Sequence, residues 1–337
     1  MDTILDPHPR LLRKLAQTAM LAQHPLTITD VGCSGGLHAF LSPLGDDIVA
    51  HGFDPSISEC ERLTKHEHRS RVRYHGAYVG LEPAHAFLAT PPPPRDGTRL
   101  VSYESTSAAW ALANGSLGDV PTNVAPTGVM ADPACPVVLD EFWEREGLDH
   151  IDFLKIDTDG HEPLILRSCE KFFARNAISV VAIEVCYFGS ASPRASTFAN
   201  IDLFLRAFGF DLLNLSIWRY SLRDLPAPFT FRSVGETVFG PPLIGEAVYV
   251  AMRLSAEADV ERDVARMLKQ ATLADAFGVP DCAAALLNKH RTALAGYVDV
   301  DEWLDALVPR LRGEQRTYAD YLATFKNDIA RFFPAGE

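Results

Sequence analysis

The chain has 337 residues, with 31 Lys and Arg against 44 Asp and Glu, a formal charge of −13 and 47% hydrophobic residues. This composition excludes a disordered or fibrous chain. The acidic balance argues against a nucleic-acid partner, because a protein that grips phosphates presents stripes of Lys and Arg.

The length fits two domains, or one large domain with an appendage. No apolar run approaches the ~18 residues of a membrane span; the best, over 178–188, is interrupted by Glu184. The acidic start, Met1-Asp2-Thr3-Ile4-Leu5-Asp6, lacks the basic and then apolar pattern of a signal peptide. The six cysteines contain no CxxC pair. A disulfide framework or zinc ribbon is therefore not expected, and a reducing cytoplasm is.

In chain order, the spacing of Leu11, Leu12, Leu15, Ala19 and Met20 predicts a helix over 9–23. A strand over 26–31 runs into Gly32-Cys33-Ser34-Gly35-Gly36, and a second over 48–53 ends at Asp54-Pro55. A helix with an acidic first turn follows from Ser56 or Ser58, then a strand over 72–79. Residues 81–136 are broken by Pro and Gly, with the rigid run Pro91 to Pro94 and one expected strand over 98–104; Ser105-Thr106-Ser107 after it could contact a ligand. A helix over 138–147 and a strand over 151–156 lead to Asp157-Thr158-Asp159-Gly160, followed by a helix over 161–175. The strand over 179–185 is nearly all apolar, with Glu184 near its end. Then come a helix over 198–208, a strand over 210–217, a Pro/Gly-rich connection over 222–245 and a last strand over 247–254. Strands that alternate with helices and are apolar on both faces predict a parallel sheet covered on both sides. After residue 255 only helices are expected. The stripe Tyr318, Tyr321, Leu322, Phe325, Ile329, Phe332, Phe333 predicts a packing face, as a helical cap or a dimer contact.

Two constellations carry chemistry. A Gly-rich turn after the first strand lets the backbone approach a ligand, and a carboxylate ending the second strand can accept both ribose hydroxyls. Asp30, Gly32, Ser34 and Gly36 fit D-x-G-x-(G/S)-x-G and not the G-x-G-x-x-G that seats a pyrophosphate on a helix. That pattern suits a nucleoside with a cationic amino-acid part, bound by Asp30, Gly32, Cys33, Ser34, Gly35, Gly36, Asp54 and Pro55. The second constellation gathers Asp157, Asp159, His161 and Glu184 where two further strands should end. A carboxylate such as Glu184 in an apolar strand must be paired, hydrogen-bonded or ligated.

At these residues the chain resembles the FkbM-type S-adenosylmethionine-dependent methyltransferases. The resemblance rests on four stretches: Thr29-Asp30-Val31-Gly32-Cys33-Ser34-Gly35-Gly36; Phe53-Asp54-Pro55; Leu139-Asp140-Glu141-Phe142 through Leu154-Lys155-Ile156-Asp157-Thr158-Asp159-Gly160-His161-Glu162 to Arg167; and Val180 to Val185. The family commonly has Glu where Asp159 stands, and Ala-Asn where Cys33-Ser34 stand.

The resemblance implies a class I methyltransferase fold, a Rossmann-like doubly wound sheet of seven strands with the last antiparallel. It covers residues 25–254, between an N-terminal helix over 1–24 and a C-terminal helical region over 255–337. It also implies methyl transfer from S-adenosylmethionine to an oxygen of a sugar, glycan or secondary metabolite. Such a transfer is an in-line displacement that needs a proton acceptor. Asp157, His161 and Glu184 are the candidates on the acceptor side. His161 opens a helix whose dipole favours a neutral ring, while the neighbouring carboxylates favour the charged one. An alternative has Asp157 and Glu184 hold a Mg²⁺. Two other classes stay open: an NAD(P)-dependent oxidoreductase, and a non-catalytic cofactor-binding scaffold.

Overall fold

The computed structural model describes residues 4–81, 129–158, 160–187, 194–219, 240–251, 260–308 and 316–328. The expected strand over 98–104, the prolines of 91–94, residues 105–107, Asp159 and the end of the aromatic stripe lie outside them.

The chain divides into two compact units. The first, Met1–Ile4, Leu26–Ala39 and Ile48–Arg253, is built on one sheet. Its strands are β1 (Leu26–Val31), β2 (Ile48–Asp54), β3 (Val72–Gly76), β4 (Ile151–Ile156), β5 (Ile178–Cys186), β6 (Phe210–Leu215), the two-residue β7 (Trp218–Arg219) and β8 (Pro242–Ala251). The order is β3-β2-β1-β4-β5-β8-β6, with β7 also on β8. Strands β1 to β5 pair in parallel, while β8 runs antiparallel to both β5 and β6. This is the doubly wound sheet with an antiparallel last strand that the resemblance implies, with the two-residue β7 as an eighth strand beside the seven expected. The 72–79 strand is shorter than expected, and Val79 instead bridges Val137. The last strand begins earlier, at Pro242, inside the stretch read as a connection.

Both faces of the sheet are covered. Val31, Phe53, Leu154, Ile156, Val181, Ile183 and Tyr249 form one core with Phe142, Trp143, Ile165, Phe172 and Leu205 from the helices. Ile28, Ala50, Phe153, Val180 and Val248, of the opposite parity, are equally buried. Such two-sided burial is what makes parallel strands read as continuous apolar runs.

The 161–175 helix is in fact two, Glu162–Arg167 and Glu170–Ala174. The Ser168 hydroxyl takes the Ile165 carbonyl, and the buried Asp140 carboxylate accepts the N–H groups of Lys171 and Phe172, opening a new helix start. The Asp of the L-D-E-F stretch is thus a helix cap, not a catalytic group. Asp152 is likewise internal: its carboxylate accepts the Thr27 N–H and hydroxyl, fastening β4 to β1.

The second unit, Leu5–Pro25, Phe40–Asp47 and Leu254–Glu337, is helical. The 9–23 helix is broken into α1 (Leu11–Ala16) and α2 (Met20–Gln23), because the Thr18 hydroxyl captures the Leu15 carbonyl. The fully buried Asp275, on the helix Val260–Ala276, accepts the Arg10 and Leu11 N–H groups and so caps α1. The apolar stripe expected as a packing face falls on the helix Tyr318–Asn327, which buries none of its residues; Leu322 and Phe325 are more than a third exposed. Burial in this region falls instead on Val300, Trp303, Leu304 and Leu307. Among the described residues no helix is long and apolar enough to cross a membrane.

Candidate functional site

A cleft of about 510 Å³ opens at the carboxyl ends of β1, β2 and β4. This is the point where the strand order reverses, between β1 and β4, and where ligands bind in open α/β sheets. Asp30, Gly32, Ser34, Gly36, Asp54, Pro55, Asp157 and His161 all border it, together with Phe53, Tyr78, Val79, Lys155 and Ile165. Cys33, Gly35 and Glu184 do not border it.

The glycine loop is shaped by backbone contacts. The N–H groups of Gly32 and Cys33 both donate to the Phe53 carbonyl, at 2.8 and 3.1 Å, and Asp157 N–H donates to the Val31 carbonyl at 2.9 Å. Gly32 sits at φ +84°, and a Cβ there would run into the Asp157 carbonyl oxygen. Only glycine serves at this crossing. Cys33 is buried behind the loop, and a hydrogen bond that its thiol donates to Cys60, together with burial, pushes its pKa up.

Asp54 ends β2. Its Oδ1 accepts the Ser56 N–H at 2.8 Å, and burial raises its carboxyl pKa while that hydrogen bond opposes the rise. Phe53, Pro55, Tyr78 and Val79 supply flat and apolar wall beside it. A carboxylate at a strand end flanked by apolar and aromatic surface offers the acceptor that ribose hydroxyls and the flat wall that a base require.

The loop is built against a pyrophosphate. Gly35 N–H is already taken by the Glu59 carboxylate at 3.0 Å, and Arg62 and this N–H hold the Glu59 pKa down at about 2. The chain then enters a short 3₁₀ helix, Ala39–Leu44, not an α-helix whose N-terminus could seat phosphate. Both features disfavour the oxidoreductase alternative and suit a nucleoside without phosphate.

On the other wall, Lys155 extends from β4 with its side chain 14% exposed. Its Nζ lies 3.0 Å from Asp30 Oδ1, 3.0 Å from the Gly32 carbonyl and 3.6 Å from Asp157 Oδ2. Burial pulls the Lys155 pKa down, but Asp30 and Asp157 outweigh it, so the ammonium stays charged. Asp30 is nearly fully buried, and burial raises its carboxyl pKa against the pull of Lys155.

Asp157 and His161 stand at the two ends of a turn whose centre is organised by Glu162. That buried carboxylate accepts the Thr158 N–H, the Thr158 hydroxyl and the Gly160 N–H on Oε1 at 3.0–3.1 Å, and the Ser196 hydroxyl on Oε2. Glu184 is on β5, directly across from Glu246 of β8. Asp157 lines the cleft, whereas Glu184 does not. Among the described residues no group of three or more His, Cys, Asp or Glu is placed to hold a metal ion.

Lys155 and Glu162 are the site residues that sequence reasoning missed. Both stand in the stretch quoted for the resemblance. A lysine one residue before a strand end reads as a solvent-seeking tip, and a glutamate in a first helical turn reads as a cap.

The fold and the cleft define a class, the S-adenosylmethionine-dependent methyltransferases with a Rossmann-like sheet. Residues 47–212 match the methyltransferase FkbM domain. Solved structures of similar outline include a SAM-dependent methyltransferase from Aquifex aeolicus, at 10% identity over 74% of this chain and 96% of that one, TM-score 0.28. Another is the N-terminal domain of EvdMO1 with SAH bound, at 10% identity over 74% and 84%, TM-score 0.33. A third is the StiE O-MT, at 10% identity over 78% of each chain, TM-score 0.31. No curated protein matches.

Proposed function

We propose that this methyltransferase transfers the methyl group to a hydroxyl oxygen of a sugar, glycan or secondary metabolite, without a metal. One observation carries the reading: Asp157 and His161 border the same cleft as Asp54 and the glycine loop. A proton acceptor and a nucleoside pocket are thereby within reach of one small ligand.

When bound, S-adenosylmethionine supplies an electrophilic methyl on a sulfonium. In this proposal Asp54 accepts hydrogen bonds from the ribose hydroxyls, Pro55 and Phe53 flank them, and the Asp30–Gly36 loop backs the amino-acid end. Cys33 and Gly35 act through loop shape, since neither borders the cleft. His161 accepts the proton of the attacking hydroxyl at its ring nitrogen, and Asp157 stabilises the imidazolium that results. Glu184 has a supporting part on β5, because it does not border the cleft. The six cysteines are all free, which supports action in a reducing cytoplasm. The helical unit is proposed as a cap or a contact in a homodimer.

The test is release of S-adenosylhomocysteine across a panel of glycosides and hydroxylated metabolites, with and without EDTA or Mg²⁺. His161→Ala should bind the cofactor normally and lose about a hundredfold or more in turnover. Unchanged turnover in that variant would remove the proton-acceptor role. A rate that depends on Mg²⁺, lost in Asp157→Ala and Glu184→Ala, would replace it with metal ligation. A panel without a single turned-over hydroxyl, alongside methylation of an amine or thiol, would overturn the O-methyl assignment.

A further inference from the structure

We infer that Lys155 is a positioning residue for the cofactor's amino-acid end: it, and not the ligand, is the counter-ion of Asp30. The inference rests on the proposed placement of the cofactor in this cleft.

Lys155 and Asp30 are register partners on the parallel strands β4 and β1, on the same face of the sheet. The Lys155 ammonium donates to Asp30 Oδ1 and to the Gly32 carbonyl, each at 3.0 Å, and pairs by charge with Asp157 Oδ2 at 3.6 Å. One side chain thus joins the end of β1, the first glycine of the loop and the residue after β4. The acidic start of a glycine loop is the obvious candidate to meet a ligand's ammonium group. In this chain that carboxylate is already engaged at 3.0 Å, and its side chain is only 5% exposed. Asp157, with its side chain 44% exposed, is the carboxylate of the trio that remains open to a cationic ligand.

The pairing has a distinctive energetic signature. Removing the ammonium alone leaves a buried carboxylate without compensation, whereas neutralising both partners does not. The charged and titratable groups around Asp30 are Lys155 on β4, Asp157 after it, and Cys33 and His38 on the loop. Without Lys155 the Asp30 carboxyl rises further, so acid protonates it and imitates Asn.

The experiment is titration calorimetry with S-adenosylhomocysteine from pH 5.5 to 8.5 on the whole chain, using Lys155→Met, Asp30→Asn and the double variant. At pH 8 each single variant should bind about tenfold more weakly or worse, the scale of a lost charge-assisted hydrogen bond. The double variant should recover most of that loss. Lys155→Met should tighten as the pH falls, and the double variant should show no such trend. If Lys155→Met does not fold while the double variant folds and binds, the pairing is supported by that alone. Unchanged or tighter binding by Lys155→Met, a double variant as weak as the two losses combined, or an unfolded double variant would overturn the inference. Asp54→Ala separates the two levels. If it binds as the wild type does, the cofactor placement itself is wrong; if it weakens while the cycle shows no coupling, only the Lys155 assignment fails.

Discussion

Glu162 gives the sharpest test, because a buried carboxylate in a cleft-side motif is usually given a chemical role. Here it is a scaffold, only 1% exposed, holding the turn between Asp157 and His161. In Glu162→Ala the Thr158 and Gly160 N–H groups lose their acceptor. Two stranded backbone donors cost about 1–3 kcal/mol each. The Thr158 and Ser196 hydroxyls can rotate to other partners and add less, for a total of about 3–5 kcal/mol. For a domain of this size each kcal/mol lowers Tm by about 2–4 °C, so a fall of roughly 6–20 °C is expected. Glu162→Gln keeps an acceptor in the same place and offers an NH₂ to Ser196, so it should lose only the charge assistance, about 1–2 kcal/mol. Urea and thermal denaturation of the three proteins, with S-adenosylhomocysteine titrations, measure this. An Ala variant within about 0.5 kcal/mol of the wild type, or a Gln variant as damaged as Ala, would refute the scaffold reading.

Other outcomes follow from the same structure. Asp54→Ala should weaken S-adenosylhomocysteine binding by about 1–3 kcal/mol and leave the fold intact, read by calorimetry and circular dichroism. His51 and His75 contact each other at 3.0 Å, and burial, then the neighbouring His75, lowers the His51 pKa to about 4; burial lowers that of His75 as well. The unfolded chain therefore binds protons first, so stability is full above about pH 6.5 and is lost as pH falls toward 4, by up to ~2 kcal/mol at pH 5 for His51. A His51→Gln, His75→Gln variant should show a shallower decline in urea midpoints between pH 7 and 5, and an equal decline would count against this. Truncation before Ala256 should uncover Leu11, Leu12 and Leu15, each at most 1% exposed, and yield insoluble protein. A soluble, fully active truncate would argue that the helical unit is dispensable.

The parts of the fold that were legible were those written in local periodicity. Strands β1, β2, β4 and β5 are mostly apolar because both of their faces are covered, and Asp54 stands out as the carboxylate that ends β2. Breaks imposed from a distance were not legible. The split at Ser168 depends on Asp140, 28 residues earlier in the chain, and nothing near Ser168 announces it. The same limit applied at the site. Asp157, Glu162 and Glu184 are alike as letters, but only their hydrogen-bonded surroundings separate a cleft wall from a scaffold and from a strand opposite Glu246. Lys155 could be given its partner only once β1 and β4 were known to be neighbours in register. The aromatic stripe marks a limit of another kind: helical spacing shows that a face exists, not what covers it.

The position of β8 has a consequence for how the chain is made. Among the described residues it is the last strand to leave the ribosome, yet it is inserted between β5 and β6 and supplies hydrogen bonds to both. Until Ala251 has emerged, two strand edges stand open side by side, with Val181, Ile183 and Val185 lining one of them. Open apolar edges pair readily with other chains. During synthesis, before β8 has emerged, the sheet therefore has a gap one strand wide at which wrong pairing can begin.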